Sequence, residues 1–171
     1  VHFVMFNPIG SHDTPRLLTL CKENINKLKA AVAFQFCFPG IPVIYYGDEV
    51  GLEGGNDPEC RKAMEWESQK QNMELLEWYK KLIQIRNSKP ALKTGRFKCN
   101  YCSSYNSVYG FFRELEGDRI YVVINNSDEY ANIILPVEES YKDIEYLHDI
   151  ISGAVYKVEC KDNEICYNDD I

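Results

Sequence analysis

The sequence lacks any hydrophobic run long enough to cross a membrane. Only residues 30–46 approach the required length, and Pro39-Gly40-Ile41-Pro42 divides them into a helix end and a strand that are each too short. A cluster of Lys or Arg is also absent, and the formal net charge is -7, which argues against a phosphate-binding surface. We therefore expect neither a membrane nor a nucleic acid as a partner.

Cysteine is frequent but shows no disulfide or metal framework. The chain has 7 cysteines, an odd number with irregular spacing. Cys99 and Cys102 have the two-residue gap of a metal knuckle, but a zinc site needs a second pair at suitable spacing, and Cys160 and Cys166 flank a turn instead. We expect free thiols, no metal and no cofactor. Free thiols and the lack of a charged-then-apolar leader favour a cytoplasmic protein.

The first part of the chain predicts a strand–helix–strand unit. Residues 3–6 have the length and composition of a buried strand, and residues 15–21 predict one or two helical turns. A longer helix follows after Glu23-Asn24, with its apolar stripe at Ile25, Leu28, Val32 and Phe36. Residues 43–46 then predict a strand that is apolar on both faces, as parallel strands covered by helices are. Such a crossover unit cannot bury its faces alone.

Polar residues crowd into the junction between the first strand and its helix. Residues 7–16 read Asn-Pro-Ile-Gly-Ser-His-Asp-Thr-Pro-Arg, and Thr14 before Pro15 predicts a helix N-cap with proline at the first helical position. The carboxyl end of a parallel strand is where α/β proteins build their sites. Taken alone, however, the pattern is more typical of a capped helix in which Arg16 is solvated.

A second polar loop follows the second strand, from Asp48 to about Glu67. Within it, Asp57 before Pro58 again predicts an N-cap, and Arg61 lies four residues beyond Asp57. A capped turn with a local Asp–Arg pair explains this pattern as well as a binding site does, and such a pair contributes only a few tenths of a kcal/mol at a surface.

The rest of the chain changes from helix to strand. Residues 72–89 predict a helix that Ser88-Lys89-Pro90 ends. Beyond residue 95, short alternating segments predict an antiparallel sandwich: residues 96–101, 108–115, 119–125, 131–136, 144–149, 154–160 and 164–168. His148 lies in one of these strands without a visible catalytic partner, so we expect it to be satisfied or exposed.

Two motifs together resemble a known family. They are residues 7–16 and residues 38–61, which read Phe-Pro-Gly-Ile-Pro-Val-Ile-Tyr-Tyr-Gly-Asp-Glu and continue to Asn-Asp-Pro-Glu-Cys-Arg. In order and spacing they are similar to the α-amylase clan of glycoside hydrolases, within it the neopullulanase, cyclomaltodextrinase and maltogenic amylase group. The resemblance extends more loosely to the end of the chain.

The resemblance implies an α/β part followed by an all-β part. Residues 1–93 would be the last two βα units of a (β/α)8 barrel, from strand seven to helix eight. Residues 94–171 would be the C-terminal antiparallel β-sandwich, possibly without its last strand, because the Pro-Pro-Tyr-like segment of the family is absent.

The same resemblance assigns roles to five residues. Asp13 matches the family's transition-state-stabilising carboxylate and is the expected catalytic residue. The expected substrate-binding residues are His12, Arg16, Asp57 and Arg61. A hydroxyl can accept from a guanidinium and donate to a carboxylate at once, which suits these residue types to sugar.

The implied reaction is hydrolysis of α-1,4 bonds in maltooligosaccharides, cyclodextrins or pullulan with retention. The family's nucleophilic Asp and general-acid Glu precede the motifs found here, so we expect the 171-residue chain alone to be inactive. Its expected partners are an α-glucan oligosaccharide and the remainder of the barrel or another copy of the chain. The alternative is a non-catalytic carbohydrate-binding or interaction module derived from the same clan.

Overall fold

The structure is a computed structural model that describes residues 4–103, 107–131, 135–136, 144–161 and 164–167. Four α-helices lie in the first part of the described chain, and seven of its nine strands follow them. The helices are α1 (Leu17–Leu20), α2 (Ile25–Cys37), α3 (Met73–Ser88) and α4 (Pro90–Thr94). The strands are β1 (Phe6–Pro8), β2 (Ile41–Val43), β3 (Arg96–Ser103), β4 (Val108–Leu115), β5 (Asp118–Asn125), β6 (Leu135–Pro136), β7 (Tyr146–His148), β8 (Val155–Lys161) and β9 (Glu164–Tyr167).

The strand–helix–strand unit is confirmed. Strands β1 and β2 pair in parallel, with Phe6 opposite Ile41. Helix α2 is fixed to both strands by Gln35, whose amide donates to the carbonyl oxygens of Asn7 at 2.6 Å and Val43 at 2.9 Å. Because parallel strands end at the same edge, the loops after β1 and β2 emerge side by side.

The two strands differ in extent and burial from the prediction. Strand β1 begins at Phe6 rather than at residue 3, which lies outside the described residues, and Phe6 is exposed. Strand β2 ends at Val43, so Tyr45 and Tyr46 leave the sheet instead of forming its buried interior. In the described part of the chain, each of these strands has only the other as its sheet neighbour, so no further strand extends or covers them there.

The long helices begin where the sequence places them. The Asn24 side chain accepts from the Lys27 amide at 3.0 Å and caps α2, and the Asn72 side chain accepts from the Leu75 amide at 2.9 Å and caps α3. Each cap satisfies an amide that the first turn leaves without a partner.

The predicted cap of the first helix is wrong. Helix α1 begins at Leu17, with Arg16 at the N-cap position and no side-chain cap bond. The hydroxyl of Thr14 lies 3.3 Å from that of Ser11 instead. Residues 11–15 therefore form a turn above the strand ends rather than the first turn of the helix.

Two hydrophobic clusters hold these elements together. The first joins α1, α2 and α3 and confirms the predicted apolar stripe of α2; its buried members are Leu17, Leu18, Leu28, Val32, Phe36, Leu75, Tyr79 and Leu82. The second joins α2 and α4 to β4 and β5 through Cys37, Ala91, Leu92, Phe111, Ile120 and Val122. Burying one such Leu or Phe side chain contributes about 2 kcal/mol.

A buried pair of arginines lies beside the second cluster. Arg113 of β4 donates to the carbonyl oxygens of Cys37 and Leu92, both at 2.8 Å, and to that of Gly95 at 3.1 Å. Arg86 of α3 donates to the same Leu92 oxygen at 3.0 Å. The β-strands are thereby bonded to the C-terminal ends of α2 and α4, where carbonyl oxygens lack helical partners.

The strands beyond α4 form two antiparallel sheets. One has the order β3-β4-β5 and the other the order β6-β9-β8-β7. The predicted strand at 108–115 is confirmed residue for residue, while β7 is shorter than predicted. Residues 132–134 and 168 of the predicted strands lie outside the described residues. The packing of these sheets as a sandwich, and a boundary between residues 93 and 94, stay predictions.

The remaining expectations concern membranes, metals and His148. None of the helices in the described ranges combines the length and hydrophobicity that a bilayer crossing requires. Within those same ranges, no three His, Cys, Asp or Glu side chains are grouped as metal ligands. His148 lies on β7 and is exposed, as predicted.

Candidate active site

The turn after β1 presents His12 and Asp13 to solvent. The hydroxyl of Ser11 accepts from the Asp13 amide at 3.2 Å, which fixes the tight bend of the turn. His12 Nε2 then lies 3.3 Å from Asp13 Oδ1. The Asp13 side chain is 70% exposed, so its carboxylate remains accessible to a ligand.

The loop after β2 presents Asp57 and Arg61 beside that turn. Residues Glu59–Arg61 form a single 3-10 turn, with Pro58 at its cap position and no side-chain cap bond. The predicted N-cap at Asp57 is therefore wrong. The predicted local pair is present, because Arg61 Nε donates to Asp57 Oδ1 at 3.1 Å.

Arg61 joins the two loops. Its Nη2 donates to Asp13 Oδ1 at 3.3 Å while its Nε holds Asp57. Four of the five predicted site residues thus lie together at the surface: Asp13, Asp57 and Arg61 are joined by hydrogen bonds, and His12 lies beside Asp13. We refer to these four residues as the Arg61 cluster.

The Arg61 cluster suits the recognition of neighbouring hydroxyl groups. Two carboxylates accept hydrogen bonds from sugar hydroxyls, and the guanidinium between them donates to hydroxyl oxygens. Hydrogen bonds to charged groups are shorter and stronger than those between neutral groups. Its two carboxylates outnumber its one guanidinium, so the cluster is suited to a ligand on which positive charge develops.

A buried cysteine also joins the two loops. Cys60 is fully buried, and its thiol donates to the backbone carbonyl oxygen of His12 at 3.1 Å. The hydroxyl of Tyr45 donates to the Cys60 carbonyl oxygen at 3.5 Å. Sequence reasoning missed Cys60, because its partner is a backbone atom 48 residues away and no residue pattern signals that contact.

Arg16 is not part of the Arg61 cluster. Its side chain is 0% exposed, and Nη1 lies 3.4 Å from Asp48 Oδ1 and also donates to the Tyr46 carbonyl oxygen. The guanidinium lies 4.2 Å from the ring centre of Tyr45 and 4.6 Å from that of Tyr46. The structure therefore contradicts a solvated Arg16, and it places this expected substrate-binding residue in the interior, outside the Arg61 cluster.

Arg16 instead contacts the loop after β2 on its buried side. Its amide donates to the Gly54 carbonyl oxygen at 2.9 Å, and the Gly54 amide donates to the Thr19 hydroxyl at 3.0 Å. These bonds attach the start of α1 to the loop that carries Asp57. Arg16 thus connects α1 to this loop on the buried side.

Asp48 is a buried carboxyl group that the sequence did not indicate as part of the site. Burial raises its pKa to about 6, and the opposing effect of Arg16 offsets this only in part. A Cβ atom at Gly10 would lie 2.1 Å from Asp48 Oδ2. Glycine at position 10 therefore leaves the space in which Asp48 meets Arg16.

The sequence matches the family model for the α-amylase catalytic domain over residues 2–95. The chain belongs to the α-amylase family. That match includes both loops of the Arg61 cluster and ends where the helices end.

Curated relatives carry the names expected from the two motifs. The chain is 49% identical over 146 residues to the cyclomaltodextrinase of Thermoanaerobacter pseudethanolicus, with 84% of this chain and 25% of the relative covered. It is 40% identical over 136 residues to neopullulanase 2 of Thermoactinomyces vulgaris, with 80% and 23% covered. The chain therefore spans about a quarter of the curated relatives that it matches.

Solved structures give the same result for the fold. A cyclomaltodextrinase structure superposes with a TM-score of 0.81 at 38% identity, covering 96% of this chain and 28% of that one. The arrangement of helices and sheets is thus that of one part of an α-amylase-family enzyme.

Proposed function

We propose that this chain is part of a retaining α-glucan hydrolase acting on α-1,4 bonds of maltooligosaccharides, cyclodextrins or pullulan. The observation that carries the proposal is the Arg61 bridge, in which one guanidinium holds Asp13 and Asp57 from two different loops. The names of the curated relatives support the same substrate class.

Asp13 is assigned to transition-state stabilisation rather than to bond cleavage. A retaining enzyme needs a nucleophilic carboxylate and a protonated acid about 5 Å apart. Asp13 and Asp57 both accept hydrogen bonds from Arg61, and this pairing favours a binding role over that of nucleophile or acid. Asp13 binds the 2- and 3-hydroxyls most strongly when the sugar ring flattens and gains positive charge. The reaction is accelerated because Asp13 thereby binds the transition state more tightly than the ground state.

The other members of the Arg61 cluster also bind the sugar. His12 donates to the same hydroxyls, and Asp57 and Arg61 hold the sugar on the non-reducing side of the cleaved bond. Arg16 and Asp48 keep the two loops in place from the buried side. No step of this scheme calls for a metal or another cofactor.

We infer that residues 1–93 complete a barrel and that residues 94–171 form its C-terminal β-domain. The open strand edges support this inference, because large apolar side chains are exposed beside β1 and β2 and on the loop above them: Val4, Met5, Phe6, Ile41, Ile44, Tyr46 and Trp66. Such an edge pairs with further strands or aggregates. The partner is the remainder of the barrel, and a second copy of the chain is the alternative.

We infer a cytoplasmic location from the free thiols. All five cysteines whose side chains the structure describes are unpaired. One relative, 42% identical over 133 residues, is the intracellular maltogenic amylase of Bacillus subtilis, which supports the same location.

A chimera tests the proposed function. In it, the matching 84% of this chain replaces the corresponding segment of the Thermoanaerobacter cyclomaltodextrinase. We expect the chimera to release reducing sugar from maltotriose and cyclodextrin, and the isolated chain to release none, with the unaltered relative as the positive control. Turnover by the isolated chain, or a folded chimera without turnover, contradicts the proposal. Calorimetric binding of maltotriose combined with an inactive chimera would favour the non-catalytic module.

A further inference from the structure

Both backbone groups of Gly54 are bonded to the start of α1. The Gly54 amide donates to the Thr19 hydroxyl at 3.0 Å, and the Gly54 carbonyl oxygen accepts from the Arg16 amide at 2.9 Å. Two hydrogen bonds from one residue to one helix fix both the position and the orientation of that residue. We refer to this pair of hydrogen bonds as the Gly54 clamp.

The Gly54 clamp depends on a close approach that only glycine allows. A Cβ atom at position 54 would lie 2.4 Å from the Glu59 carbonyl oxygen and 3.3 Å from Arg16 Cγ. Glycine is the residue that lets two backbone segments come this close. Position 54 thus lies directly between α1 and the 3-10 turn that carries Arg61.

Glu59 connects the position of Gly54 to that of Asp57. The Glu59 carboxylate accepts from the Gly55 amide at 3.0 Å, and the Glu59 amide donates to the Asn56 carbonyl oxygen at 2.8 Å. These bonds tie the segment into a compact loop that contains Asp57. The place of Asp57 therefore follows from the place of Gly54.

The Gly54 clamp attaches this loop to the packed part of the chain. Within the described ranges, residues 53–56 form no hydrogen bond to an α-helix or a strand other than those of the clamp at the start of α1. Helix α1 is in turn anchored in the first hydrophobic cluster by the buried side chains of Leu17 and Leu18. Thr19 thus supplies one of the two bonds that join the loop to the core.

The same helix follows the turn that carries Asp13. Arg61 bonds Asp13 at 3.3 Å and Asp57 at 3.1 Å, so the bridge requires that the loop after β2 lies at a fixed distance from the turn after β1. Because both segments are attached to the start of α1, the Gly54 clamp sets that distance.

We propose that Thr19 is a positioning residue for sugar binding, which keeps Asp57 and Arg61 at the distance from Asp13 that a glucan needs. The inference rests on the proposed function, because that function assigns the sugar to these three side chains. Thr19 does not touch the sugar, and its hydroxyl acts through Gly54. Asp57 and Arg61 hold the sugar beside the cleaved bond in the ground state and in the transition state alike, so loss of the hydroxyl changes KM more than kcat.

A matched pair of variants in the chimera tests the role of the hydroxyl. Thr19→Val keeps the shape of the side chain and removes the acceptor, whereas Thr19→Ser keeps the acceptor. From the net contribution of one hydrogen bond, we expect Thr19→Val to raise KM for maltotriose about fivefold and to change kcat by less than about twofold. Thr19→Ser should keep both values near those of the unaltered chimera. Rates are compared at a temperature at which thermal unfolding shows every variant to be folded.

Hydrogen exchange followed by mass spectrometry measures the Gly54 clamp without any reaction. Peptides that span residues 53–57 should exchange faster in the Thr19→Val chimera and at the original rate in the Thr19→Ser chimera, because only the first removes the acceptor of the Gly54 amide. Ser88→Ala is the control. It removes a side-chain hydrogen bond to the Ile85 carbonyl oxygen at the end of α3, and it should alter neither KM nor this exchange.

The outcomes separate this inference from the proposed function. An unaltered chimera without turnover contradicts the proposed function, and with it any role of Thr19 in sugar binding. In an active chimera, an unchanged KM in Thr19→Val, or an equal rise of KM in Thr19→Val and Thr19→Ser, overturns the inference alone. A lower kcat at unchanged KM, or an exchange rate that Thr19→Val does not alter, overturns it as well.

Discussion

Replacing Asp48 with Asn is expected to stabilise the protein at neutral pH while leaving its acid stability unchanged. Asp48 is almost fully buried, and Asp48 Oδ2 has no hydrogen-bond partner among the described residues. Burial and the nearby carboxylate of Glu49 oppose the charged form, and Arg16 favours it. The Asn side chain keeps an oxygen that can accept from Arg16 without carrying the charge.

The magnitude follows from the pKa of Asp48. The pKa rises from 3.8 to about 6 in the folded chain, so folding favours the neutral carboxyl by about 3 kcal/mol. In this pH interval the folded state binds more protons than the unfolded state does. The free energy of unfolding contributed by Asp48 therefore decreases as pH rises from 3.8 to about 6 and is constant above that range. Asn at this position does not titrate.

Urea unfolding of both proteins, followed by tryptophan fluorescence between pH 4 and pH 7.5, measures the difference. We expect equal stability near pH 4 and an Asp48→Asn protein that is more stable by about 3 kcal/mol near pH 7. Asp128→Asn, a change at an exposed carboxylate, is the matched control and should show no such trend. A variant that is less stable than wild type at pH 7, or a difference that does not vary with pH, refutes the reasoning.

Two other changes test how the loops are held. Gly10→Ala places a Cβ atom 2.1 Å from Asp48 Oδ2 and must displace the buried Arg16–Asp48 pair. Thermal unfolding should therefore show a free energy of unfolding lower by about 3 kcal/mol. A decrease below about 0.5 kcal/mol contradicts the packing described. Cys60→Ala removes the donor to the His12 carbonyl, so it should lower the free energy of unfolding by about 1–2 kcal/mol and raise KM for maltotriose in the chimera. Cys60→Ser keeps a donor, so its stability and its KM should both lie closer to those of the unaltered protein. Equal values for Ala and Ser would show that the thiol acts only through its volume.

The helices could be predicted because their information is local. The asparagines before α2 and α3 and the apolar stripes behind them specify where each helix begins and which face it buries. The strands β4 and β5 were predicted for the same reason, since alternation and a two-residue turn fix their register. Neither inference depended on what the helices and strands pack against.

The short strands and the buried arginine depended on distant parts of the chain. The apolar run near Phe6 signals burial, yet whether a strand is covered is decided by neighbours that its own residues do not encode. Arg16 looked like a site residue because of its position beside Asp13. Its buried role follows from Tyr45, Tyr46 and Asp48, some thirty residues later, and no local pattern connects them.

The Arg61 cluster could be predicted only in part. Its members were assigned because the two motifs resemble those of the α-amylase clan, and both motifs follow strands that end at one edge. That Arg61 bonds both carboxylates through different nitrogens could not be inferred from spacing. The sequence therefore indicated these four residues, and the structure shows the hydrogen bonds that join Arg61 to the two carboxylates.

The hydrolysis rate of the chimera carrying Asp13→Asn tests the central claim most directly. Asn has the size of Asp13 but lacks the negative charge that stabilises the flattened, positively charged sugar ring. We expect kcat/KM for maltotriose to fall by several powers of ten, with thermal unfolding unchanged and the Asp128→Asn chimera fully active. A near-normal rate in a folded Asp13→Asn chimera would remove Asp13 from the active site and contradict the account.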